Sequence, residues 1–238
     1  MFNVSFSTLD SWRECPAKAG FRRLDRDRIL DNSTAQQKRG IAFHEKILQV
    51  GANIEGHKLL FAELKIKLDF YNEVGITGSV DGVYAGGLID VKTTRPKNCI
   101  PSKLAAYMDS DQLRMYAYAL ETQHGLRVDK VGILLVGLDD DGKEVRRLYA
   151  ERHIIPSYET YHWEEDLLTC AKYFENSEPE EWEARPNKFC DWCAAQSFCN
   201  GRRLNCGAVA QAIENEKSRQ NSRNIGAVTA AILGIKKA

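Results

Sequence analysis

The sequence contains no long hydrophobic run and no excess charge of either sign. No stretch reaches the run of about eighteen apolar residues that a membrane-spanning helix needs, and the amino terminus lacks the pattern of a secretory signal peptide. We therefore expect a cytoplasmic protein without a membrane span. Lysine and arginine together number 33, as do aspartate and glutamate, so no global positive field indicates a nucleic-acid partner. A local basic groove beside an acidic metal site is still compatible with this balance.

Cysteine, in contrast, is frequent. Seven cysteines are many for a chain of 238 residues, and an odd number in a reducing compartment favours metal ligation over a set of disulfides. Cys99 and Cys170 fit no ligand spacing and are expected to pack in the core. Hydrophobic residues make up 43% of the chain, enough for one sizeable domain with an appendage or for two small ones.

Residues 75–95 predict a β-hairpin. Two segments rich in β-forming residues, 76–84 and 88–94, flank a glycine pair. Gly86 and Gly87 would supply the positive φ angles of a tight turn. The return segment is apolar and short, as in a strand that is at least half buried.

Three charged side chains converge at one end of this hairpin. Alternation along a strand puts Asp90 and Lys92 on one face and Val91 on the other. The tight turn brings Asp81 back toward the start of the return strand. Burying unpaired charge is costly, and two carboxylates beside one lysine suit a hard divalent cation such as Mg²⁺ or Mn²⁺. The alternative without a site is a simple surface ion pair.

The pattern elsewhere alternates between helix and strand. Such a mixture predicts an α/β fold, in which helices cover a central mixed sheet. The other predicted elements are a short helix capped by Ser7 or Thr8 and ended by Pro16, a helix over 35–50, a strand over 60–70, a helix over 102–120, strands over 130–138 and 144–153, and a helix over 158–174.

A cluster of cysteines lies near residue 190. Cys190 and Cys193 have the two-residue spacing that presents two thiolates to one metal centre, and Cys199 follows after five intervening residues. A four-thiolate site needs one more ligand. Cys206 is the local candidate and would give a small zinc knuckle. Cys15 is the distant one, and it would join the two ends of the chain.

The hairpin motif resembles the core of the PD-(D/E)xK nucleases, in particular their RecB-like branch. The motif reads Gly78-x-x-Asp81, a spacer, then Asp90-x-Lys92, and the proline that gives the superfamily its name is absent. The resemblance implies that Asp81 and Asp90, with the carbonyl of Val91, hold Mg²⁺ or Mn²⁺. It also implies that Lys92 positions or deprotonates the attacking water.

Two further motifs match the same branch in the family's order. His44 follows Gly40 at the Gly-x-x-x-His spacing, where the family carries a metal-binding histidine. Gln112-x-x-x-Tyr116 matches a motif whose members are thought to contact the catalytic lysine region or the DNA backbone. Glu63 lies where the family often keeps an acidic residue near the site. Taken without the resemblance, each of these residues is equally well explained by packing or surface exposure.

The cysteine pattern is similar to that of the Cas-four nucleases of CRISPR systems and the AddB nuclease-helicases. Those proteins hold a [4Fe–4S] cluster with one early cysteine and a later Cys-x₂-Cys-x₅-Cys. The resemblance favours Cys15 over Cys206 as the partner of Cys190, Cys193 and Cys199. The cysteines would then clamp the two ends of the chain together.

The implied organisation is one RecB-like nuclease domain over 1–206 with a tail over 207–238, in which 1–30 and 184–206 form an iron–sulfur lobe. The implied activity is metal-dependent exonuclease digestion of DNA, mainly single-stranded and often 5′ to 3′. In CRISPR adaptation and antiviral defence the family trims DNA beside the integrase. That integrase, another DNA-processing complex or further copies of the chain are the implied partners.

A different class of function is a non-catalytic DNA-binding subunit that keeps the fold for docking and holds iron–sulfur or zinc. The intact set of His44, Asp81, Asp90 and Lys92 argues against it, because decayed nucleases usually lose one of these residues. Visible absorbance of anaerobically purified protein separates a zinc site from an iron–sulfur site.

Overall fold

The computed structural model of the chain describes residues 2–24, 34–71, 73–178, 181–185 and 193. The predicted ligands Cys190 and Cys199, the alternative ligand Cys206 and the predicted tail all lie outside the described residues. The described residues fall into two compact units. The larger unit holds 2–10 and 34–176, and the smaller holds 11–24 with the described residues from 177 onward. The predicted domain boundaries stay a prediction.

The larger unit is built on a mixed β-sheet. In the described part of the chain its strands are β1 (Phe2–Ser5), β2 (Asn53–Ile54), β3 (His57–Phe70), β4 (Val74–Tyr84), β5 (Gly87–Thr94), β6 (Lys130–Leu138) and β7 (Glu144–His153). The strand order is β2-β3-β4-β5-β6-β7, with β1 paired to β4. The β1–β4 and β5–β6 pairs are parallel, and the others are antiparallel.

Helices flank this sheet, as the sequence predicts. The described helices are α1 (Phe6–Glu14), α2 (Pro16–Leu24), α3 (Ala35–Ile47), α4 (Pro101–Met108), α5 (Asp111–His124) and α6 (Glu164–Asn176). In the larger unit α3 packs on β5, α4 on β7, α5 on β3 and α6 on β1. The predicted α/β fold with a central mixed sheet is thereby confirmed. Among the described helices, none has both the length and the apolar character to cross a membrane.

The predicted hairpin is present, but its turn lies one residue earlier than expected. Tyr84 pairs with Gly87, so the turn is Ala85-Gly86, and Gly86 has a φ of 80°. Gly87 is instead the first residue of β5. It is held in the sheet on both sides, because it also pairs with Lys130 of β6.

The ladder between the two hairpin strands is short, and a gap follows it. β4 pairs with β5 only over Gly82–Tyr84, whereas β5 continues beside β6 to its end at Thr94. At its other end, over residues 74–77, β4 pairs with β1. Residues 78–81 of β4 therefore have no strand partner on this side within the described chain. The gap is occupied by side chains.

The helix predicted over 102–120 is two helices, α4 and α5. The interruption at Asp109-Ser110 is held by the buried guanidinium of Arg114. It donates to the backbone carbonyl of Asp109, to the Asp109 carboxylate at 2.8 Å and to Asp111 at 3.1 Å. A charged side chain buried with this many acceptors fixes the break, and it starts a new helix just before Gln112.

Several other boundaries differ from the sequence prediction. The helix predicted over 35–50 ends at Ile47, and its start is fixed by a capping box between Thr34 and Gln37. Strand β3 begins three residues before the predicted 60–70. The helix predicted over 158–174 is replaced at its start by two 3₁₀ turns, Pro156–Tyr158 and Thr160–His162, before α6. Strand β1 was not predicted.

In the smaller unit, α2 packs against the segment 181–185. The amide of Ala17 donates to the Glu183 carbonyl at 3.0 Å. The Trp182 ring contacts Phe21 edge-on, with centroids 5.6 Å apart. A side chain at Gly20 would collide with that ring. Pro16, predicted to end the first helix, also begins α2, since proline is favoured at the first helical position.

Candidate active site

Asp81 lies at the edge of the gap and bridges it. Its Oδ2 accepts a hydrogen bond from the backbone N–H of Val91 at 2.8 Å. A side-chain carboxylate thus satisfies a β5 donor that a regular ladder would pair with a backbone carbonyl. The paired residues Gly82 and Ile89 put Asp81 directly across from Asp90, as the sequence predicts.

Asp90 and Lys92 share one face of β5 and form an ion pair. Lys92 Nζ lies 2.8 Å from Asp90 Oδ2 and donates to Gln112 Oε1 at 2.7 Å. Asp90 is only 1% exposed. The strand and the helix α5 therefore fix the lysine between an acid and an amide.

Tyr116, one helical turn after Gln112, packs over Gly78 of β4. A Cβ at Gly78 would lie 2.8 Å from Tyr116 Cε1 and 3.1 Å from its hydroxyl oxygen. Only glycine therefore lets α5 approach the gap this closely. This contact gives a physical reason for the glycine in Gly78-x-x-Asp81.

His44 reaches the gap from α3. Its Nδ1 lies 3.8 Å from Asp81 Oδ2, and the ring also reaches the backbone of Val91. One turn earlier, a Cβ at Gly40 would lie 2.5 Å from Thr93 Oγ1. The glycine of the Gly-x-x-x-His spacing thus allows α3 to lie directly against β5.

Side chains from both faces of the sheet come together at the gap. Phe43 of α3 and Val91 belong to one apolar cluster, so α3 covers the face of Val91. Asp90 and Lys92 point to the other face, where Gln112 of α5 bonds the lysine. A continuous ladder would separate these groups, and the unpaired stretch of β4 brings them together.

The site carries more negative charge than its single lysine offsets. Burial, followed by the charge of Asp90, raises the pKa of Asp81 to about 7. Burial also lowers the pKa of His44, so its imidazole is neutral near pH 7. For Lys92, burial opposes the ammonium, but Asp90 outweighs it and raises the pKa. Two carboxylates therefore face one cation.

These donors fit a divalent metal in kind and in charge. Carboxylate and carbonyl oxygens with a neutral imidazole are ligands that Mg²⁺ or Mn²⁺ takes. Apart from its ion pair with Lys92, the buried Asp90 Oδ2 has no hydrogen-bond donor in the described chain, and the raised pKa of Asp81 indicates uncompensated charge. Within the described chain, however, no three His, Cys, Asp or Glu side chains are already gathered as a metal site. Binding would require the Asp90 carboxylate to share its contact with Lys92.

Glu63 lies beside this site in a strained backbone conformation. The register of β3 and β4 puts it opposite Asp81, and its φ of 50° is unusual for a residue other than glycine. Its charge is one of the smaller influences that raise the pKa of His44 and Asp81. A supporting role for Glu63 stays a prediction.

Two residues near the site were not singled out from the sequence. Lys103 of α4 donates to Thr94 Oγ1 at 2.9 Å. The Tyr107 ring lies one turn further, with Lys92 Nζ and Lys103 Nζ at 5.8 and 5.9 Å from its centroid. A Lys-x-x-x-Tyr spacing on the helix that follows Asp90-x-Lys92 was the available signal.

In the smaller unit, the buried thiol of Cys15 lies beside the chain that leads to the later cysteines. The backbone N–H of Arg185 is directed at Cys15 Sγ at 3.4 Å, and Sγ lies 3.9 Å from the Glu183 carbonyl. Cys193 is partly exposed. Because the other two predicted ligands lie outside the described residues, the cluster stays a prediction.

Comparison with known proteins gives a family. A model of the PD-(D/E)XK nuclease superfamily matches residues 45–200, well over half of the chain, from the residue after His44. No curated protein matches the sequence. A solved structure described as "Crystal structure of SSO0001" has 13% identity and a TM-score of 0.49, covering 85% of this chain and 88% of its own. That likeness is too weak to carry an argument. On the family match, the chain belongs to the PD-(D/E)XK nuclease superfamily.

Proposed function

We propose that the protein is a Mg²⁺- or Mn²⁺-dependent DNA exonuclease that acts mainly on single strands, from 5′ to 3′, and that carries a [4Fe–4S] cluster. The superfamily consists of nucleases that typically use divalent metals. The exonuclease mode, the strand preference, the cluster and a role in CRISPR adaptation or in viral or recombination DNA metabolism go beyond the family and are the proposal.

The observation that carries the nuclease proposal is the assembly of charged groups in the gap of the sheet. Asp81 and Asp90 face each other across it, and Lys92 is fixed beside them by Gln112. A structural role would favour compensated charges, whereas here the pKa of Asp81 is raised to about 7. Excess negative charge of this kind favours a bound cation.

In this mechanism each side chain has one task. Asp81, Asp90, His44 and the carbonyl of Val91 would hold the metal, whose charge would supply electrostatic stabilisation to the phosphate and favour ionisation of water. Lys92 would place its ammonium against the attacking water or the scissile phosphate, in an orientation set by Gln112.

Tyr116 would hold the DNA backbone without adding charge. Its hydroxyl lies at the gap, above Gly78. Burial raises the pKa of Tyr116, so the phenol stays protonated and donates to a phosphate oxygen.

The activity is tested with oligonucleotides labelled at either end, single- and double-stranded, and with a circular single strand that has no end. We expect stepwise shortening of linear single strands from the 5′ end with Mg²⁺ or Mn²⁺, and none with chelator or on the circle. Cleavage of the circular strand would show that the protein is an endonuclease and not an exonuclease. Binding without cleavage in any metal would favour the non-catalytic subunit.

The surroundings of Cys15 support the cluster proposal. Its thiol is buried next to Glu183 and Arg185, shortly before Cys190 in the sequence. Backbone N–H groups directed at cysteine sulfur stabilise thiolates bound to iron. Cys15 would complete a four-thiolate set with Cys190, Cys193 and Cys199.

A pair of variants tests this ligand set. Cys15→Ala should lose the brown chromophore, lower the iron content and destabilise the protein, because metal binding contributes to folding. Cys206→Ala is the matched control and should keep colour, iron and thermal stability. If Cys206→Ala is colourless and Cys15→Ala is coloured, Cys206 is the fourth ligand and the assignment of Cys15 is wrong. If the wild type is colourless and contains zinc, the cysteines form a zinc site rather than an iron–sulfur cluster.

A further inference from the structure

Next to Lys92 lies a second basic position that the proposed chemistry does not use. Lys103 of α4 bonds Thr94 Oγ1, the last residue of β5, at 2.9 Å. The Tyr107 ring contacts both lysines, with their Nζ atoms 5.8 and 5.9 Å from its centroid. An aromatic face attracts ammonium groups at this range, so Tyr107 holds both lysines near one point.

The two ammonium groups differ in how their charge is compensated. Lys92 is paired with Asp90 at 2.8 Å. Lys103 is half-buried and, among the described residues, contacts a hydroxyl and an aromatic ring but no carboxylate. Two positive charges near one ring repel each other, and an anion bound close to both offsets this repulsion. The arrangement is therefore suited to an anion close to the metal site.

Two further basic residues lie just after the end of β5, close in sequence to Thr94. Arg95 and Lys97 come directly after β5, are exposed, and have no carboxylate partner in the described chain. Arg95 is the N-cap of the 3₁₀ turn Pro96–Asn98, and Lys97 lies within that turn. Pro96 packs against Gly137 at the end of β6. Fixed, uncompensated cations in a row suit a polymer with regularly spaced phosphates.

We propose that Lys103, oriented by Tyr107, binds the backbone phosphate adjacent to the scissile phosphate, and that Arg95 and Lys97 continue this track along a single DNA strand. The inference rests on the proposed nuclease function and deepens it, because it fixes where the strand runs: past α4 and the end of β5. Lys103 is a positioning residue and takes no part in bond cleavage.

The first test measures binding without metal, in chelator, with a fluorescent single strand over a range of salt. Lys103→Gln keeps a hydrogen bond to Thr94 but loses the charge. It should weaken binding roughly tenfold, as for one charge-assisted hydrogen bond, and reduce the slope of log affinity against log salt by about 0.7. Lys103→Arg should restore most of both. Lys58→Gln, at an exposed lysine on β3 next to the sheet edge, is the control and should change neither.

Tyr107 separates orientation from simple packing. Tyr107→Phe keeps the aromatic face and should bind like wild type, whereas Tyr107→Leu keeps an apolar side chain but loses the cation–π contacts. We expect the leucine variant to bind several-fold more weakly. Equal binding by the leucine and phenylalanine variants would remove Tyr107 from the proposal.

The second test locates the contact on the DNA. Single neutral methylphosphonates are placed at each position near the cleaved bond, and single-turnover cleavage is measured for wild type and Lys103→Gln. A methylphosphonate at the adjacent phosphate should lower the cleavage rate of the wild type roughly tenfold relative to the unmodified strand. The same substitution should hardly change the rate of Lys103→Gln, because that variant already lacks the contact. If the effect of Lys103→Gln and the effect of the methylphosphonate are independent at every position of the strand, Lys103 does not contact that phosphate and the inference is wrong.

The two tests also separate this inference from the proposed function. If wild type cleaves nothing in any metal, the nuclease proposal fails, and the metal-free binding test still decides whether Lys103 contacts a strand. If cleavage occurs and Lys103→Gln binds with unchanged affinity and salt slope, the nuclease stands and this inference is wrong. A wild type that binds an acidic peptide but no DNA strand would also overturn it.

Discussion

The same sheet carries two polar clusters that contain the same kinds of residues and behave in opposite ways. In the gap beside β5, Asp81 and Asp90 share one lysine. In the other cluster, the carboxylate of Glu151 accepts hydrogen bonds from Tyr84 at 2.8 Å, Tyr149 at 3.1 Å and Lys130 at 2.8 Å. His57 Nε2 lies 3.0 Å from the same carboxylate.

The pKa values of the two acids move in opposite directions. Around Glu151 burial opposes ionisation, but the hydrogen bonds from Lys130, Tyr84 and Tyr149 outweigh it and lower the pKa to about 2. Around Asp81 burial and the charge of Asp90 raise the pKa to about 7. Donors of the protein satisfy the Glu151 carboxylate, whereas the charge of Asp81 is not compensated in this way and, in our proposal, is met by a bound metal. The Glu151 cluster therefore stabilises the fold, and the cluster in the gap is the one that we propose for catalysis.

The largest effect should come from Asp90→Asn. Removing this carboxylate takes away a proposed metal ligand and releases Lys92, so we expect cleavage to fall about a thousandfold or more. Far-ultraviolet circular dichroism and single-strand binding should change little. Asp69→Asn, at an exposed acid on β3, is the matched control. A purified Asp90→Asn that cleaves like wild type would return the gap to a structural ion pair.

Glu151→Gln should show the reverse behaviour, with cleavage retained and stability lost. The pKa of this acid is depressed from its ordinary 4.5 to about 2. Its stabilisation is therefore complete above pH 4.5 and is lost as pH falls toward 2. We expect a loss on the order of 3 kcal/mol in the free energy of unfolding at neutral pH. Denaturant titrations from pH 2 to 7 measure it, and the variant should lack this acid-dependent loss.

Gln112→Ala and Tyr116→Ala should reduce cleavage less than Asp90→Asn does and more than Glu151→Gln does. Each removes a polar contact without removing charge, so we expect a loss of roughly tenfold in cleavage and weaker strand binding. Tyr116→Phe is the control, because its ring still packs over Gly78 and only the hydroxyl is lost. If both alanine variants match wild type in rate and affinity, the two residues serve packing alone.

Asp81→Asn, measured in chelator, should differ in sign from the other variants and gain stability. The folded-state pKa of Asp81 is raised from its ordinary 3.8 to about 7, so its charge costs stability increasingly as pH rises through that range. Asparagine can still accept from Val91 and does not titrate. We expect added stability at pH 7, at most about 4 kcal/mol for a shift of this size, and none near pH 3.5. A destabilised variant at pH 7 would mean that the acid is satisfied, as Glu151 is.

The sequence predicts one cluster and gives no sign of the other, for a physical reason. Asp81, Asp90 and Lys92 lie on two strands joined by a tight turn, so spacing alone brings them together. Of the partners of Glu151, Tyr149 lies two residues away on β7. The other three, His57, Tyr84 and Lys130, come from three other strands, and no spacing indicates their contact with Glu151. The break between α4 and α5 was missed likewise, because a buried arginine causes it rather than a proline or glycine.

The proximity of Asp81, Asp90 and Lys92 was therefore predictable, whereas the gap in the sheet beside them was not. The gap arises because β1 replaces β5 as the partner of β4, and β1 carries no motif. Gly40 and Gly78 were predicted as motif members, but the reason for them, close approach to Thr93 and Tyr116, is visible only in three dimensions.

The most direct test of the contrast is the position of Mn²⁺ in an anomalous difference map from crystals soaked in the metal. We predict one strong peak between Asp81 and Asp90, within reach of His44 and the Val91 carbonyl, and no peak beside Glu151. A peak at Glu151 with none in the gap, or an empty gap at saturating Mn²⁺, would contradict the assignment of the gap as the metal-dependent nuclease site.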